Sequence, residues 1–179
     1  QGAYLCTPQP TISQVNQECE PLKNDIIKYI REEKNKLIAL RDMTNVIHQR
    51  VESAINKFKP AEDLNSFLLK ISNDLNSFSF RMYICDEDGF QQSANLFKLY
   101  GEQWDLQHKY KGRNWSWRPY FLETVLKMQS NDRGILSDMY RDIETGERIR
   151  TFSYPMENGS YLYIDLSYDF LFKHNELLF

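Results

Sequence analysis

The chain has 179 residues and a mass of 21.4 kDa, which fits one domain or one domain with an appendage. Its 22 Lys and Arg against 25 Asp and Glu give a formal net charge of −3, which argues against non-specific nucleic-acid binding. Hydrophobic residues at 41% and aromatic residues at 14% exclude a disordered or fibrous chain, and no segment approaches the roughly 20 apolar residues that span a bilayer.

The N-terminal segment contains one short apolar run, Gly2 to Cys6, which Pro8 and Pro10 end. An isolated strand is not stable in water, so we expect this run to belong to a preceding domain. The chain does not begin with Met, and we expect it to be a fragment.

A long helix is predicted from Pro21 to Phe58, where neither Gly nor a further Pro interrupts the chain. At 1.5 Å per residue it would be roughly 57 Å long. Eight of its ten heptad positions are apolar, namely Ile26, Ile30, Leu37, Leu40, Ile47, Val51, Ala54 and Phe58. The helix either packs along its own domain or serves as a connecting and dimer-forming helix.

A second helix is predicted to open at 61–63, and its apolar side chains recur at helical spacing. We expect these side chains in the core: Leu64, Phe67, Leu68, Ile71 and Leu75.

The apolar period changes to two after Phe80, which is typical of strands. The runs with this period are 81–85, 90–96, 134–142, 148–154 and 161–167, and a short helix is predicted at 120–128. We therefore predict an α+β fold, in which a five-stranded antiparallel sheet carries flanking helices after the long N-terminal helix. The apolar tail 168–179 is expected to dock on this domain.

Five segments resemble parts of PAS-like sensors of the Cache/PDC type. The run 83–93 resembles the first hairpin of that family, and Trp117-Arg118-Pro119-Tyr120-Phe121 resembles its pocket-entry motif. The runs 137–140, 150–156 and 162–166 resemble its last three strands. The resemblance covers about residues 78 to 170 and implies a PAS-like fold.

Gln1 to Pro8 resembles the closing strand of an EAL domain, the cyclic-di-GMP phosphodiesterase fold. With the long helix and the PAS-like region, the chain resembles the C-terminal part of YkuI-type proteins, in which an EAL domain precedes an EAL-associated signalling domain. The resemblance implies the tail end of an EAL domain at 1–20, a connecting or dimerisation helix at 21–58 and a PAS-like sensory domain at 61–179. The Glu-Ala-Leu tripeptide does not occur here, so we expect a non-catalytic piece.

The Cache resemblance also implies a ligand site. In amino-acid-binding members an Arg-x-aromatic-aromatic motif grips the ligand carboxylate, a later Tyr assists and an Asp on the last strand meets the amine. Carried over by position, these residues are Arg118, Tyr120, Phe121, Tyr140 and Asp165. Arg113 replaces a Tyr of the family pattern, which argues against amine ligands. The alternative is that Arg118 pairs with Asp138 or Asp165 and that the aromatic residues fill the core.

Two further pairs of residues are candidates for the same pocket. Trp115 and Trp117 would lie on one side of an extended segment, where they line a pocket or cap the core. Thr151 and Ser153 would also share a side, with hydroxyls that face a ligand or solvent.

The sequence favours neither a metal site nor a cofactor site. The acidic run 86–89 lacks the spacing of an EF-hand loop and is predicted to be a turn. The three His residues are far apart and lack the spacing of a zinc site. Three Cys residues without C-x-x-C spacing favour a reducing compartment, so we expect a cytoplasmic protein, with a secreted domain holding one disulfide as the alternative.

These observations predict a regulatory domain of a cyclic-di-GMP signalling protein, coupled through the long helix to an EAL domain of the same polypeptide. We expect a homodimer and a small-molecule ligand or partner. Two alternatives are an extracytoplasmic Cache sensor of a transmembrane receptor and a ligand-free dimerisation module, and an enzyme with an unrecognised site is a third.

Overall fold

A computed structural model describes residues 11–58, 63–98, 103–118, 121–131, 133–157, 159–167 and 169–171. The predicted strand at 2–6 and most of the C-terminal tail lie outside these residues. The helices of the described part are α1 (Ile12–Phe58), α2 (Leu64–Leu75) and α3 (Phe121–Asn131), with a short 3-10 turn at His108–Tyr110. The strands are β1 (Ser79–Cys85), β2 (Asn95–Phe97), β3 (Asp105–Gln107), β4 (Ile135–Leu136), β5 (Tyr140–Arg141), β6 (Arg148–Ile149), β7 (Thr151–Pro155) and β8 (Tyr161–Leu166).

Helix α1 begins at Ile12, well before the predicted start at Pro21. Thr11 and Gln14 form a capping box, in which the Thr11 hydroxyl accepts from the Gln14 N–H at 3.3 Å and the Gln14 side chain accepts from the Thr11 N–H at 2.9 Å. Pro21 therefore lies inside the helix, where it removes one backbone donor. The 47 residues extend for about 70 Å.

The two halves of α1 have different surroundings. Met43, Ile47, Val51 and Ala54 are buried and belong to the main core, so the C-terminal half packs along its own domain. The N-terminal half exposes large apolar side chains, as in Leu22, which is 61% exposed. The C-terminal half therefore packs along its own domain, as the first interpretation expects, and the role of the exposed N-terminal half as a connecting or dimer-forming helix stays a prediction.

Helix α2 begins where the sequence predicts. Asp63 is its N-cap, and the carboxylate accepts from the N–H groups of Asn65 and Ser66 at 3.1 and 3.3 Å. The apolar face of α2 lies in the core, as expected, with Phe67, Leu68, Ile71 and Leu75 fully buried.

The α+β fold and the antiparallel sheet are confirmed. Within the described residues the sheet has six strands rather than five, in the order β3-β2-β1-β8-β7-β4, and β5 pairs with β6 in a separate hairpin. The predicted strand 134–142 is two elements, β4 and β5, and the predicted strand 148–154 divides into β6 and β7.

Side-chain hydrogen bonds shorten two strands relative to the apolar pattern, one at its end and the other at its start. The Ser137 hydroxyl accepts from the Thr151 N–H at 2.9 Å, so the chain leaves the sheet after β4. In the same way the Ser93 hydroxyl accepts from the Ile84 N–H at 2.9 Å, and β2 starts only at Asn95. The acidic run 86–89 is a turn, as predicted, in which the Gly89 N–H donates to the Asp86 carbonyl at 3.1 Å.

The sheet separates two packed layers. Met82, Phe152 and Ile164 face α1 and α2, and all three are fully buried in the main core. Their neighbours along each strand point to the opposite face, as strand geometry requires. That second face lies towards α3 and is the one on which the predicted ligand residues of β7 and β8 lie.

Gly134 is required by close packing between its backbone and Phe152. A Cβ atom at Gly134 would lie 2.2 Å from Cζ of Phe152, and that ring is fully buried. We predict that Gly134→Ala lowers the free energy of unfolding by about 1–3 kcal/mol, because the ring has no room to retreat. Urea denaturation of the two proteins measures this loss.

Phe152→Leu provides the control for this prediction. Leu shortens the side chain that meets the new methyl group, so Gly134→Ala should cost less in that background than in the native chain. An equal loss in both backgrounds would contradict the packing explanation.

Candidate ligand-binding face of the sheet

A row of polar side chains crosses the centre of the second face. Arg81 of β1, Asp165 of β8 and Thr151 of β7 are Cα partners across the three strands. Each of the three is at most 4% exposed. Because the register alone sets this row, the three groups meet although they lie far apart in sequence.

Arg81 is the centre of a buried ion network. Its Nε donates to Oδ2 of Asp165, and its Nη2 donates to Oδ1 of Asp142 at 3.0 Å. Nη1 donates to Oε2 of Glu144 at 3.1 Å and to Oδ2 of Asp142 at 3.3 Å. All three guanidinium nitrogens are therefore engaged, and one cation faces three carboxylates.

Asp142 reaches this network from the β5–β6 hairpin. Its Oδ2 also accepts from the Thr145 N–H and hydroxyl at 3.1 and 3.0 Å, which fixes the hairpin turn. The hairpin is closed by the Gly146 N–H, which donates to the Asp142 carbonyl at 2.9 Å. Arg81 therefore holds a hairpin that does not pair with the main sheet.

The ion network shifts two titrations. Burial by itself would lower the pKa of Arg81, but the charges of Asp165 and Asp142 raise it well above its usual value. Burial by itself would raise the pKa of Asp142, but the hydrogen bonds and charge of Arg81, with help from Thr145, lower it below its usual value. Both groups are thus charged in the folded protein at neutral pH.

Arg118 is a second buried guanidinium, and it is less fully paired. It is 6% exposed and lies against two indole rings. Its Cζ atom is 5.0 Å from the ring centroid of Trp115 and 5.1 Å from that of Trp117. Its Nη2 is 3.8 Å from Oδ1 of Asp142, which is ion-pair distance and beyond hydrogen-bond length. Its Nε has no hydrogen-bond partner within the described part of the chain.

Aromatic rings cover the second face beside these charges. Tyr83 of β1 stacks on Tyr163 of β8 with centroids 5.3 Å apart, and Phe121 of α3 stacks on Tyr163 at 5.9 Å. Trp115 Nε1 donates to Oε1 of Gln91 at 2.7 Å. These rings exclude water, which strengthens the electrostatic contacts next to them.

The predicted ligand-binding residues that the structure describes lie around this second face of the sheet. The Tyr140 hydroxyl is 2.7 Å from Oγ1 of Thr151, and Thr151 donates to Oδ1 of Asp165. Ser153 is fully buried, and its hydroxyl has no partner among the described residues. Tyr120 lies outside the described residues.

Two expectations about the local geometry change. The segment with Trp115 and Trp117 is a turn rather than an extended run, since the Arg118 N–H donates to the Trp115 carbonyl at 2.9 Å. Trp115 is therefore buried while Trp117 is 60% exposed. The carboxylate near Arg118 is that of Asp142, because Arg81 occupies Asp165.

Arg81, Asp142, Glu144, Tyr83 and Tyr163 were not predicted as site residues. A signal for Arg81 was present, since it is the only charged residue in the strand Ser79–Cys85 and shares a face with Tyr83. Asp142 and Glu144 gave no such signal, because a turn rich in acidic residues is ordinarily solvated.

Within the described ranges no group of three or more His, Cys, Asp or Glu side chains is placed to hold a metal ion. No helix among those residues is long and apolar enough to cross a membrane. Cys19 and Cys85 are free thiols.

The family model for the EAL-domain associated signalling protein domain matches residues 13–178. The chain belongs to this family. It is the signalling domain that accompanies an EAL domain, and not the EAL catalytic domain itself.

One relative of this signalling domain is the uncharacterized EAL-domain containing protein YkuI of Bacillus subtilis. It is 41% identical over 181 residues, which cover 99% of this chain and 44% of the relative. The crystal structure of Bacillus subtilis YkuI, in complex with its substrate cyclic-di-GMP and calcium, matches with a TM-score of 0.82 at 42% identity. That match covers 88% of this chain and 40% of the other. The signalling domain described here thus spans less than half the length of these relatives.

More distant structures share the fold of the domain. The ligand-binding domain of the Campylobacter jejuni chemoreceptor Tlp3, in complex with 4-methylisoleucine, matches with a TM-score of 0.53 at 10% identity. The match covers 82% of this chain and 58% of the receptor domain. At this identity the likeness describes the fold, and it agrees with the Cache/PDC resemblance of the sequence.

Replacing Arg81 should leave buried carboxylates without their counter-ion. We predict that Arg81→Met lowers the free energy of unfolding by about 3–5 kcal/mol, measured by urea denaturation at pH 7. Arg148→Met is the matched control, because Arg148 is exposed on β6, and it should change stability by less than about 0.5 kcal/mol. Equal effects of the two substitutions would contradict the ion network.

The pH dependence of stability between pH 7 and pH 5 should differ in the same variant. Because the pKa of folded Asp142 is depressed, its stabilisation is present above the ordinary value of 3.8 and is lost as pH falls through the folded value. In Arg81→Met, burial of Asp142 is no longer opposed by that charge, so stability should rise as pH falls from 7 to 5. Denaturation at both pH values tests this, and a variant that only loses stability on acidification would contradict it.

Proposed function

We propose that this signalling domain regulates an EAL domain of the same polypeptide in a bacterial cyclic-di-GMP protein, and that α1 carries the signal between them. The observation that supports this is the continuity of α1, which runs from an exposed half around Leu22 into a half that is buried from Met43 to Ala54. Such a helix transmits any displacement of the domain core to the chain that precedes it.

Strand β7 is the element through which a ligand would act on α1. Phe152 faces α1, and its ring is 6.5 Å from that of His48 in an edge-on contact. Its neighbours Thr151 and Ser153 belong to the candidate ligand face. The His48 Nδ1 also accepts from the Gly134 N–H at 3.2 Å, just before β4. A ligand that prefers one position of β7 would bias the arrangement of α1 by roughly 1–3 kcal/mol.

The proposed organisation assigns 1–20 to the end of the EAL domain, 21–58 to the connecting helix and 61–179 to the sensory domain. Residues 12–20 belong to α1 in the structure, so this helix starts within the first of these segments. We also propose a homodimer. We further propose a cytoplasmic location, which the free thiols of Cys19 and Cys85 support.

We propose that the domain is non-catalytic and binds a small molecule beside Arg118. The proposed ligand-binding residues remain Arg118, Tyr120, Phe121, Tyr140, Asp165, Trp115, Thr151 and Ser153. Their hydrogen-bonding state favours a carboxylic acid without an amine. Arg118 Nε and Ser153 Oγ are unused within the described residues, whereas both oxygens of Asp165 already accept hydrogen bonds.

A ligand screen tests this assignment. We expect some short or aromatic carboxylates to raise the melting temperature of the chain, their amides to have no effect, and Arg118→Met to abolish the response. Arg118→Lys is the matched control. It keeps the charge but cannot form the bidentate hydrogen bonds of a guanidinium, so the response should weaken.

A response to amino acids but not to simple carboxylates would contradict the proposed ligand class. No response to any compound would favour the ligand-free dimerisation module, for which the close stacking of Tyr83, Tyr163 and Phe121 already provides an argument.

Insertions into α1 of the parent protein test the coupling. Two Ala residues inserted after Lys34 rotate the preceding helix by roughly 200°, whereas seven residues add about two full turns and nearly preserve its phase. We expect the two-residue insertion to change the affinity of the EAL domain for cyclic-di-GMP, and the seven-residue insertion to change it much less. Titration calorimetry measures both affinities, and identical values in the native and inserted proteins would contradict coupling through α1.

A further inference from the structure

The N-terminal half of α1 carries an apolar seam that the rest of the described chain does not cover. The seam consists of side chains spaced alternately three and four residues apart, namely Ile12, Val15, Cys19, Leu22, Ile26 and Tyr29. Its large apolar members are 42 to 83% exposed. This spacing is that of the a and d positions of a coiled coil, with Ile12 at a.

The seam ends before the helix enters its own domain. Glu33 and Lys36 occupy the next a and d positions, and they pair with each other on one helix at 2.8 Å. From Met43 onwards the same side of the helix is buried in the main core. In this heptad register the exposed apolar a and d positions are therefore confined to residues 12–29, although Ile30 and Leu37 are also exposed further along the helix.

The charges beside the seam select its partner and its orientation. The g positions are all acidic, Glu18, Asp25 and Glu32, while Lys23 occupies an e position. In a parallel pair, g faces the e position five residues on in the partner, so Glu18 meets Lys23 of the partner subunit twice. In an antiparallel pair, g faces g, and acidic side chains would oppose each other along the whole seam.

We infer that residues 12–29 bind the same segment of a second copy of this chain as a parallel, in-register coiled coil. This inference deepens the homodimer of the proposed function and rests on it. In this register Cys19 faces Cys19 of the partner subunit across the two-fold axis, and the two N-termini leave the coil at the same end. The two paired α1 helices would then connect to both EAL domains of the dimer at the same end of the coiled coil.

Oxidative cross-linking tests whether Cys19 lies opposite Cys19 of the partner subunit, as the in-register coil requires. A disulfide requires Cα atoms within about 7 Å, which an in-register pair of a positions provides. In a Cys6→Ser variant, copper phenanthroline should convert the chain to a disulfide-linked dimer, and Cys19→Ser in that background should prevent it. Cys85 will not compete, since it is buried and burial raises the pKa of its thiol.

Charge reversal at Glu18 distinguishes a parallel from an antiparallel coiled coil. Glu18→Lys should raise the dimer dissociation constant about fivefold in a parallel coil, and adding Lys23→Glu should restore it. Sedimentation equilibrium measures both constants. In an antiparallel coil Glu18→Lys would instead tighten the dimer, because it removes acidic repulsion, and that result would overturn the inference.

Three other results would also overturn it: a monomeric chain, a dimer without the Cys19 cross-link, and a cross-link that forms in this chain but not in the parent protein. The last result would assign the seam to the EAL domain. The coupling test with inserted residues is independent of these measurements, so a failed coil and a failed regulatory function can be told apart.

Discussion

The buried guanidinium of Arg81 is the interaction on which the second face of the sheet depends. A cation at 4% exposure is tolerated only where carboxylates replace the water it has lost, and Asp165, Asp142 and Glu144 do this here. The consequence is structural as well as electrostatic. One side chain from β1 fixes β8 through Asp165 and the separate β5–β6 hairpin through Asp142 and Glu144.

The same interaction determines what the neighbouring groups can do. Each oxygen of Asp165 already accepts one hydrogen bond, and Arg81 balances its charge, so Asp165 is a poorer partner for an amine than a free carboxylate would be. Arg118 Nη2 is 3.8 Å from Oδ1 of Asp142, and the guanidinium lies against two indole rings. The two guanidinium groups therefore differ: every nitrogen of Arg81 is hydrogen-bonded to a carboxylate, whereas Arg118 Nε has no hydrogen-bond partner among the described residues.

Strand β7 joins this face to the helix that leaves the domain. Its alternation places Phe152 against the core that holds α1 and places Thr151 and Ser153 on the polar face. Gly134 belongs to the same arrangement, because any side chain there would collide with Phe152. Only the single layer of the sheet thus separates the candidate ligand site from α1, because consecutive residues of β7 face its two sides. Short paths of this kind suit a signalling domain, since packed strands shift together rather than deform.

Periodicity in the sequence determined the order of elements, the long apolar-striped helix, the core face of α2 and the antiparallel sheet, since these depend on local spacing. It did not determine where strands end, because Ser93 and Ser137 replace ladder hydrogen bonds with side-chain ones. The motif at Arg118 could be found from neighbouring residues alone. The pairing of Arg81 with Asp142 and Asp165 could not, because these residues are separated by 61 and 84 positions and only strand register and the folded hairpin bring them together.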